Sequence, residues 1–346
     1  MPPTPAEQTV PPAPDPSVTD PSARPAVPAW AVVPLAVRPG GAVQVGSSPR
    51  SGTVVGPLAE ADALALLDLA RTGGTRSPRA AARRARELAA HLAAEGALPA
   101  VPEQERRAAR AARGVAVVGA GRTGAGLAAL LGAAGVGGVV VEDPGLVGPD
   151  DLAPGAHAAA SLGRRRGAAA EEGARRWRAD LAAGTEDPEG AARPAARSAG
   201  NAGVDLVVLV DHHAARAEAA AGCVADGVPH LSVVLRDSDA VVGPLVLPGR
   251  TACLLCLDLH RADADPGWPA VRDQLVRAPA ATRREPVAAA GAVAGLAALQ
   301  VLAHLDGARP TAVGSTLEVL LPEGLVQQRR WSPHPLCGCG DLPLAP

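Results

Sequence analysis

The sequence predicts an α/β protein: a Rossmann-like, mostly parallel sheet with helices on both faces and a cysteine-bearing C-terminal part. A small winged-helix-like α+β domain precedes it. Three observations carry this reading. The stretch Gly114–Asp143 runs strand, glycine loop, apolar helix, strand and acid. Strand-like and helical runs go on alternating after it, the pattern of a sheet covered by helices. Four of the five cysteines fall in two tight pairs near the C-terminal end.

Taken in order, residues 1–28 are rich in Pro, Ala, Ser and Thr without an apolar run, and read as a disordered tail. Trp30–Val55 alternates apolar and polar residues around Pro39-Gly40-Gly41, as a hairpin does. Leu58–Arg71 and Arg79–Leu92 show helical periodicity. Together, residues 29–100 make a winged-helix-like unit, and the Arg-rich Gln104–Arg113 a helical connector into a second domain at 106–346. There, strands are expected at Val115–Val118, Val139–Val141, Leu206–Val210 and Leu231–Leu235. A helix is expected at Ala214–Ala225 and a loop at Thr185–Gly203. Val287–Leu305 is apolar but mostly Ala and Gly, broken by Gln300 and His304, so it reads as a buried helix rather than a membrane span. Its small residues Ala290, Ala294 and Ala298 suit packing either within the chain or against a second subunit.

Composition excludes several classes. All 33 basic residues are Arg, which removes lysine chemistry, and the core must be Leu, Val and Ala with Trp as the aromatic. A net charge of −2 gives no global attraction to nucleic acid. Five cysteines, four of them paired, fit a reduced cytoplasmic protein with a metal site better than a disulfide framework.

Gly119, Gly121 and Gly124 form a G-x-G-x-x-G loop between strand and helix. Such glycines allow a tight turn, close approach of backbone to phosphate and close helix–strand packing. The following helix offers free N–H groups and a positive dipole. Glu142 and Asp143 close the second strand, where an acid takes ribose hydroxyls. This signal says nucleotide, and both an ATP site and a nicotinamide-dinucleotide site share it. Cys253-Leu-Leu-Cys256 and Cys337-Gly-Cys339 are two chelating pairs. Four thiolates close the coordination shell of zinc and leave no open position for water, so the zinc expected is structural. His334 is an alternative ligand. Cys223, within a helix, reads as a small core residue.

Together the glycine loop, the later Asp211 and the split cysteine pairs resemble the ThiF/MoeB/HesA family, the prokaryotic relatives of ubiquitin-activating enzymes. The resemblance covers roughly Arg106 to Gly340. It implies binding of ATP and magnesium, adenylation of the C-terminus of a small β-grasp carrier protein or a peptide, and a homodimer. It places Gly119, Gly121, Arg122 and Gly124 at the phosphate loop and Asp143 on the ribose. Asp211, in DLVVLVDHHAAR, takes the magnesium role. Where the family carries Asn-Leu-x-Arg-Gln, this chain has Asp151-Leu152-Ala153-Pro154-Gly155, so the phosphate-contacting arginine is missing. A family lysine corresponds to Arg166, which keeps the charge but not the compact ammonium. His212 replaces an asparagine, and Arg122 a glycine. Asp211 and Arg166 are therefore the catalytic candidates.

The N-terminal run PLAVRPGGAVQVGSSPRSGTVV plus helices is similar to the peptide-recognition winged helix of enzymes that modify ribosomal peptides. A peptide would add there as a strand on the sheet edge. Two functions follow. One is a ThiF-type adenylyltransferase. The other is a catalytically degenerate scaffold presenting a leader peptide during azoline-type maturation. A nicotinamide-dependent oxidoreductase leaves the cysteine pairs unexplained.

Overall fold

The computed structural model describes residues 34–47, 52–72, 77–94, 103–183, 203–279 and 283–340. The expected N-terminal tail and the expected loop at 185–202 lie outside them. The chain divides into two compact units, Met1–Arg106 and Arg107–Pro346.

In the first unit, β1 (Leu35–Val37), β2 (Val43–Val45) and β3 (Thr53–Val55) form an antiparallel sheet in that order. The turn between β1 and β2 places Gly40 and Gly41 at φ +88° and +84°, a region that side chains resist. Two helices follow, α1 (Glu60–Thr72) and α2 (Arg79–Ala94). Val43, Val45 and Val55 pack on Leu66, Leu69, Ala85, Ala89 and Leu92. The expected hairpin is thus a three-stranded sheet with one face covered by two helices.

The helix α3 (Glu103–Arg110) leads into the second unit. Its elements are β4 (Gly114–Val118), α4 (Arg122–Ala133), β5 (Gly138–Glu142), α5 (Arg166–Ala183), β6 (Leu206–His212), α6 (Ala217–Ala225), β7 (His230–Leu235) and β8 (Asp239–Val246). Then come α7 (Leu254–Ala264), α8 (Trp268–Val276), α9 (Val287–Leu305), β9 (Ser315–Leu320) and β10 (Leu325–Arg330). They build a seven-stranded sheet in the order β10-β9-β8-β7-β6-β4-β5. β5, β4, β6 and β7 pair in parallel, whereas β8, β9 and β10 extend the sheet by antiparallel pairing. The four expected strands are the parallel ones. The first strand of that extension, β8, hid in the sequence because it contains Gly243, at φ +112°, and Pro244. Either residue ordinarily argues against a central strand.

Alternate residues of the central strands face opposite layers. Val115, Val117, Val208 and Val210 join Leu127 and Leu131 of α4 and Val293, Ala297 and Val301 of α9. Ala116, Val207 and Leu209 join Ala220 and Cys223 of α6 and Leu254 of α7. Burial on both faces explains the unbroken apolar runs of β4 and β6. Cys223 is the expected core residue, and burial pushes its thiol pKa up.

α9 is, among the described residues, the helix long and apolar enough to cross a bilayer. Its Ala290, Ala294 and Ala298 are buried in the unit itself, with Ala294 against Gly126 of α4. The small-residue face therefore packs within the chain, which settles the open choice against a second subunit on that face. Leu299 points outward, 64 % exposed.

Candidate functional site

β5 and β6 lie on opposite sides of β4, so the connections leaving β4 and β6 diverge. Sheets of this type hold ligands in the crevice at the carboxyl ends of such strands. The glycine loop leaves β4 there, and Asp211, next to the last residue of β6, lies beside it.

Gly119 sits at φ +99°, and a Cβ on it would stand 2.6 Å from the Val210 carbonyl oxygen. At Gly124 a Cβ would stand 1.9 Å from the Gly119 carbonyl oxygen. These two glycines let α4 and β6 close on the turn. Asp143 lies across the loop. Its Oδ2 accepts the Ala120 N–H at 2.8 Å and its Oδ1 the Gly145 N–H at 2.7 Å. Asp143, the expected ribose acid, is thus fixed to the glycine loop by the backbone of both strands' exits. Arg166 donates from Nε to Asp151 Oδ2 at 2.9 Å and brings Nη1 to 4.0 Å from Asp143. The Asp151 carboxylate is held in turn by the Gly148 N–H at 2.8 Å.

Asp211 is 4 % exposed. Its Oδ2 accepts the Arg216 N–H at 3.0 Å, and its Oδ1 the Arg216 guanidinium. Arg122 points its guanidinium at backbone: Nε donates to the Leu152 carbonyl at 3.0 Å and Nη1 to the Glu285 carbonyl at 2.6 Å. The expected residues Gly119, Gly121, Gly124, Asp143, Arg166 and Asp211 therefore lie at the carboxyl edge of β4, β5 and β6 or on the helix starts beside it, with Arg122 tied to neighbouring loops.

Sequence reasoning missed two residues there. Glu285, just before α9, accepts the Thr123 N–H at 2.6 Å and faces His212 Nε2 at 3.0 Å. Burial raises its pKa, but the bonds from His212 and Thr123 outweigh burial and hold the carboxyl below the usual range. His157, 2 % exposed, bonds the Ala120 carbonyl at 2.8 Å through Nε2. Neither residue belongs to a local motif. Glu285 lies 162 positions from Thr123 along the chain.

The cysteine pairs converge as expected. Cys253 caps α7 and Cys256 lies in its first turn. The Sγ separations are 3.8 Å for Cys253–Cys256, 3.6 Å for Cys253–Cys337 and 3.4 Å for Cys256–Cys339. A zinc ion with four bonds of about 2.3 Å requires tetrahedron edges of about 3.8 Å. The four thiols could bind zinc with little movement. Burial pushes Cys253 up to about 11 and raises Cys339 as well, whereas backbone donors, including the His334 N–H, bring Cys256 down against its own burial. The His334 ring is engaged elsewhere. Its Nδ1 accepts the Leu336 N–H at 3.1 Å, so the proton rests on Nε2, which meets Asp263 at 2.8 Å. The alternative of His334 as a zinc ligand is thereby set aside.

A family model described as the ThiF family matches residues 92–339. Solved structures with the same fold include E. coli MccB with AMPCPP and MccA, at TM-score 0.61 and 13 % identity, covering 89 % of this chain and 97 % of that one. E. coli MccB with ATP aligns at TM-score 0.58 and 13 % identity, again over 89 % and 97 %. The Microcin C7 biosynthetic enzyme MccB in complex with N-formylated MccA gives 0.58 and 14 % over the same shares. No curated protein matches the sequence.

Proposed function

This chain belongs to the ThiF family, and we propose that it is an ATP-dependent adenylyltransferase acting on the C-terminus of a peptide. The observation that carries this reading is the crevice itself: Asp143 bonded to the glycine loop, with Asp211 on the adjoining strand end. In the reaction, a carboxylate oxygen of the substrate attacks the α-phosphorus of ATP. A mixed acyl–phosphate anhydride forms, the bond to the bridging oxygen breaks, and pyrophosphate leaves with the electron pair.

The residues take distinct parts. Asp143 orients the ribose through its hydroxyls. The N–H groups at the start of α4 face the phosphates. Arg166 supplies positive charge beside Asp143 and stands in for the compact lysine of the family. Released from Arg216, Asp211 would be the hard oxygen donor for Mg2+, and the ion would supply charge neutralisation to the polyphosphate. Its buried carboxylate at the strand end suits that role. The four cysteines would hold a structural zinc that clamps α7 to the C-terminal segment. With its shell closed by thiolates, such a zinc would take no part in the chemistry.

The partner favoured is a precursor peptide rather than a β-grasp carrier, since the structures alike in fold over nearly their full length include MccB bound to MccA and to N-formylated MccA. The unit at 29–100 would hold the leader part of that peptide as an added strand on the β1–β3 sheet. A homodimer and a soluble, cytoplasmic location are part of the same reading. The degenerate scaffold is not favoured, because MccB, alike in fold, is a biosynthetic enzyme solved with ATP.

The test is Mg2+-dependent exchange of labelled pyrophosphate into ATP in the presence of candidate peptides. Exchange that disappears in Asp211→Ala supports the reading. Absence of exchange with every peptide, together with no ATP binding by calorimetry, would overturn it.

A further inference from the structure

Glu285 occupies the place where the glycine loop would hold an anion. Its Oε2 accepts the N–H of Thr123, the second residue of α4, at 2.6 Å. The carboxylate presses so closely on Gly121 that a Cβ there would stand 2.1 Å from Oε1. His212 supplies a second bond at 3.0 Å, and the residue is only 8 % exposed. The first-turn N–H groups and the dipole of a helix are the groups that hold phosphate in glycine-loop sites. They favour any anion, and a carboxylate is the one the chain can provide itself.

The contact is held from the backbone side as well. Arg122 spends its guanidinium on the Glu285 carbonyl and on Leu152. The loop arginine best placed to meet a polyphosphate clamps the segment carrying the competing carboxylate instead. Thr123 Oγ1 is buried with no hydrogen-bond partner, so one hydroxyl of the same turn is unused while Glu285 is in place.

We propose that Glu285 is an internal competitor for the phosphate position of the glycine loop: ATP enters only as this carboxylate withdraws from Gly121 and Thr123, which frees Arg122 and His212 for the incoming phosphates. This rests on the reading of the crevice as a nucleotide site. Two anions cannot share one N–H turn in a buried setting, so occupancy by one excludes the other. Binding is then an exchange, and the strength of the internal contact sets how tightly nucleotide is held.

The experiment is calorimetry on the full chain, with Mg2+–ATP and with inorganic pyrophosphate as probes, for wild type, E285A and E285Q. Both variants should bind ATP about tenfold or more tighter than wild type, since removing a competing state raises apparent affinity by the fraction it held. Thermal melting should show the empty variants less stable than wild type and more strongly stabilised by ATP. If E285A does not fold, E285Q, with the same shape and no charge, carries the test. Equal ATP affinity in all three folded chains would overturn the proposal and leave the nucleotide reading standing. Pyrophosphate bound more tightly by the variants, with no ATP bound by any chain, would keep the internal competitor and remove the adenylation reading. Failure of all three folded chains to bind either probe would overturn the proposal.

Discussion

The glycine-loop crevice and the cysteine cluster are both assembled from distant parts of the second unit, yet they differ in what they need. In the crevice each charged group has an internal partner: Asp143 the Ala120 and Gly145 N–H groups, Asp211 the Arg216 side chain, Glu285 the turn of α4 and His212. In the cluster the four Sγ atoms meet chiefly one another, at 3.4–3.8 Å. The reason is the cost of burial. A buried carboxylate without a partner costs several kcal/mol, so folding must satisfy it. A thiol can stay protonated and neutral, and burial favours that form at Cys253 and Cys339. Ligand binding at the crevice would then be an exchange of partners, and metal binding at the cluster an addition.

The largest expected effect follows from that addition. Chelation of zinc, or Cys256→Ser, should abolish stoichiometric zinc measured by atomic absorption and lower the melting temperature sharply. Structural zinc sites hold about 10–16 kcal/mol of apparent binding free energy, most of it coupled to folding. Because Cys253 and Cys339 carry protons in the empty cluster, zinc must displace them. Its affinity should therefore fall steeply as pH falls, and proton release on titration with zinc should be measurable. A cluster that melts unchanged after chelation would erase the contrast between the two regions.

The sequence made these regions legible to different degrees, for physical reasons. The parallel strands and the glycine loop are legible because the pattern that forms Gly119–Asp143 is local, a single strand–helix–strand unit, although α5, α9, His157 and Glu285 also pack on it. The cysteines are 81 positions apart between Cys256 and Cys337, but they are few, paired and chemically unambiguous. What could not be read is where a lone side chain from another layer ends up. Glu285 precedes α9 in a stretch with no motif, and only the packing of α9 on α4 delivers it to Thr123. Strand β8 was hidden by Gly243 and Pro244, whose residue types argue against a strand until a partner is known.

The next effect tests the exchange. Asp143→Ala should lower pyrophosphate exchange by about 100-fold or more, the scale of a single preorganised electrostatic contact of about 3 kcal/mol. Zinc content should stay at one per chain. A parallel loss of zinc would mean that the two regions are not independent. Smaller again is Gly124→Ala. Its Cβ would stand 1.9 Å from the Gly119 carbonyl oxygen, so α4 must shift on its turn. Overpacking of this kind costs about 1–3 kcal/mol, read as a lower denaturant midpoint at unchanged slope.

The smallest effect separates the acid behaviour of the cluster from that of the sheet. His230 begins β7 and is fully buried, with Nδ1 on the Val228 carbonyl at 3.2 Å and Nε2 unpartnered. Burial holds its pKa below the ordinary 6.5. Below that value the unfolded chain takes up a proton that the folded chain refuses, so stability must fall as pH drops from 6.5 toward the folded value. The slope is at most about 1.4 kcal/mol per pH unit. Loss of zinc also destabilises the protein in acid, so the two limbs overlap in an ordinary melting profile. His230→Leu removes the imidazole while keeping an apolar side chain of similar reach in the same layer. In chelated protein it should flatten the acid limb below pH 6.5, and in zinc-loaded protein the cluster's own limb should remain. If the limb in chelated protein is as steep in His230→Leu as in wild type, His230 is not its source and the acid response belongs elsewhere in the sheet.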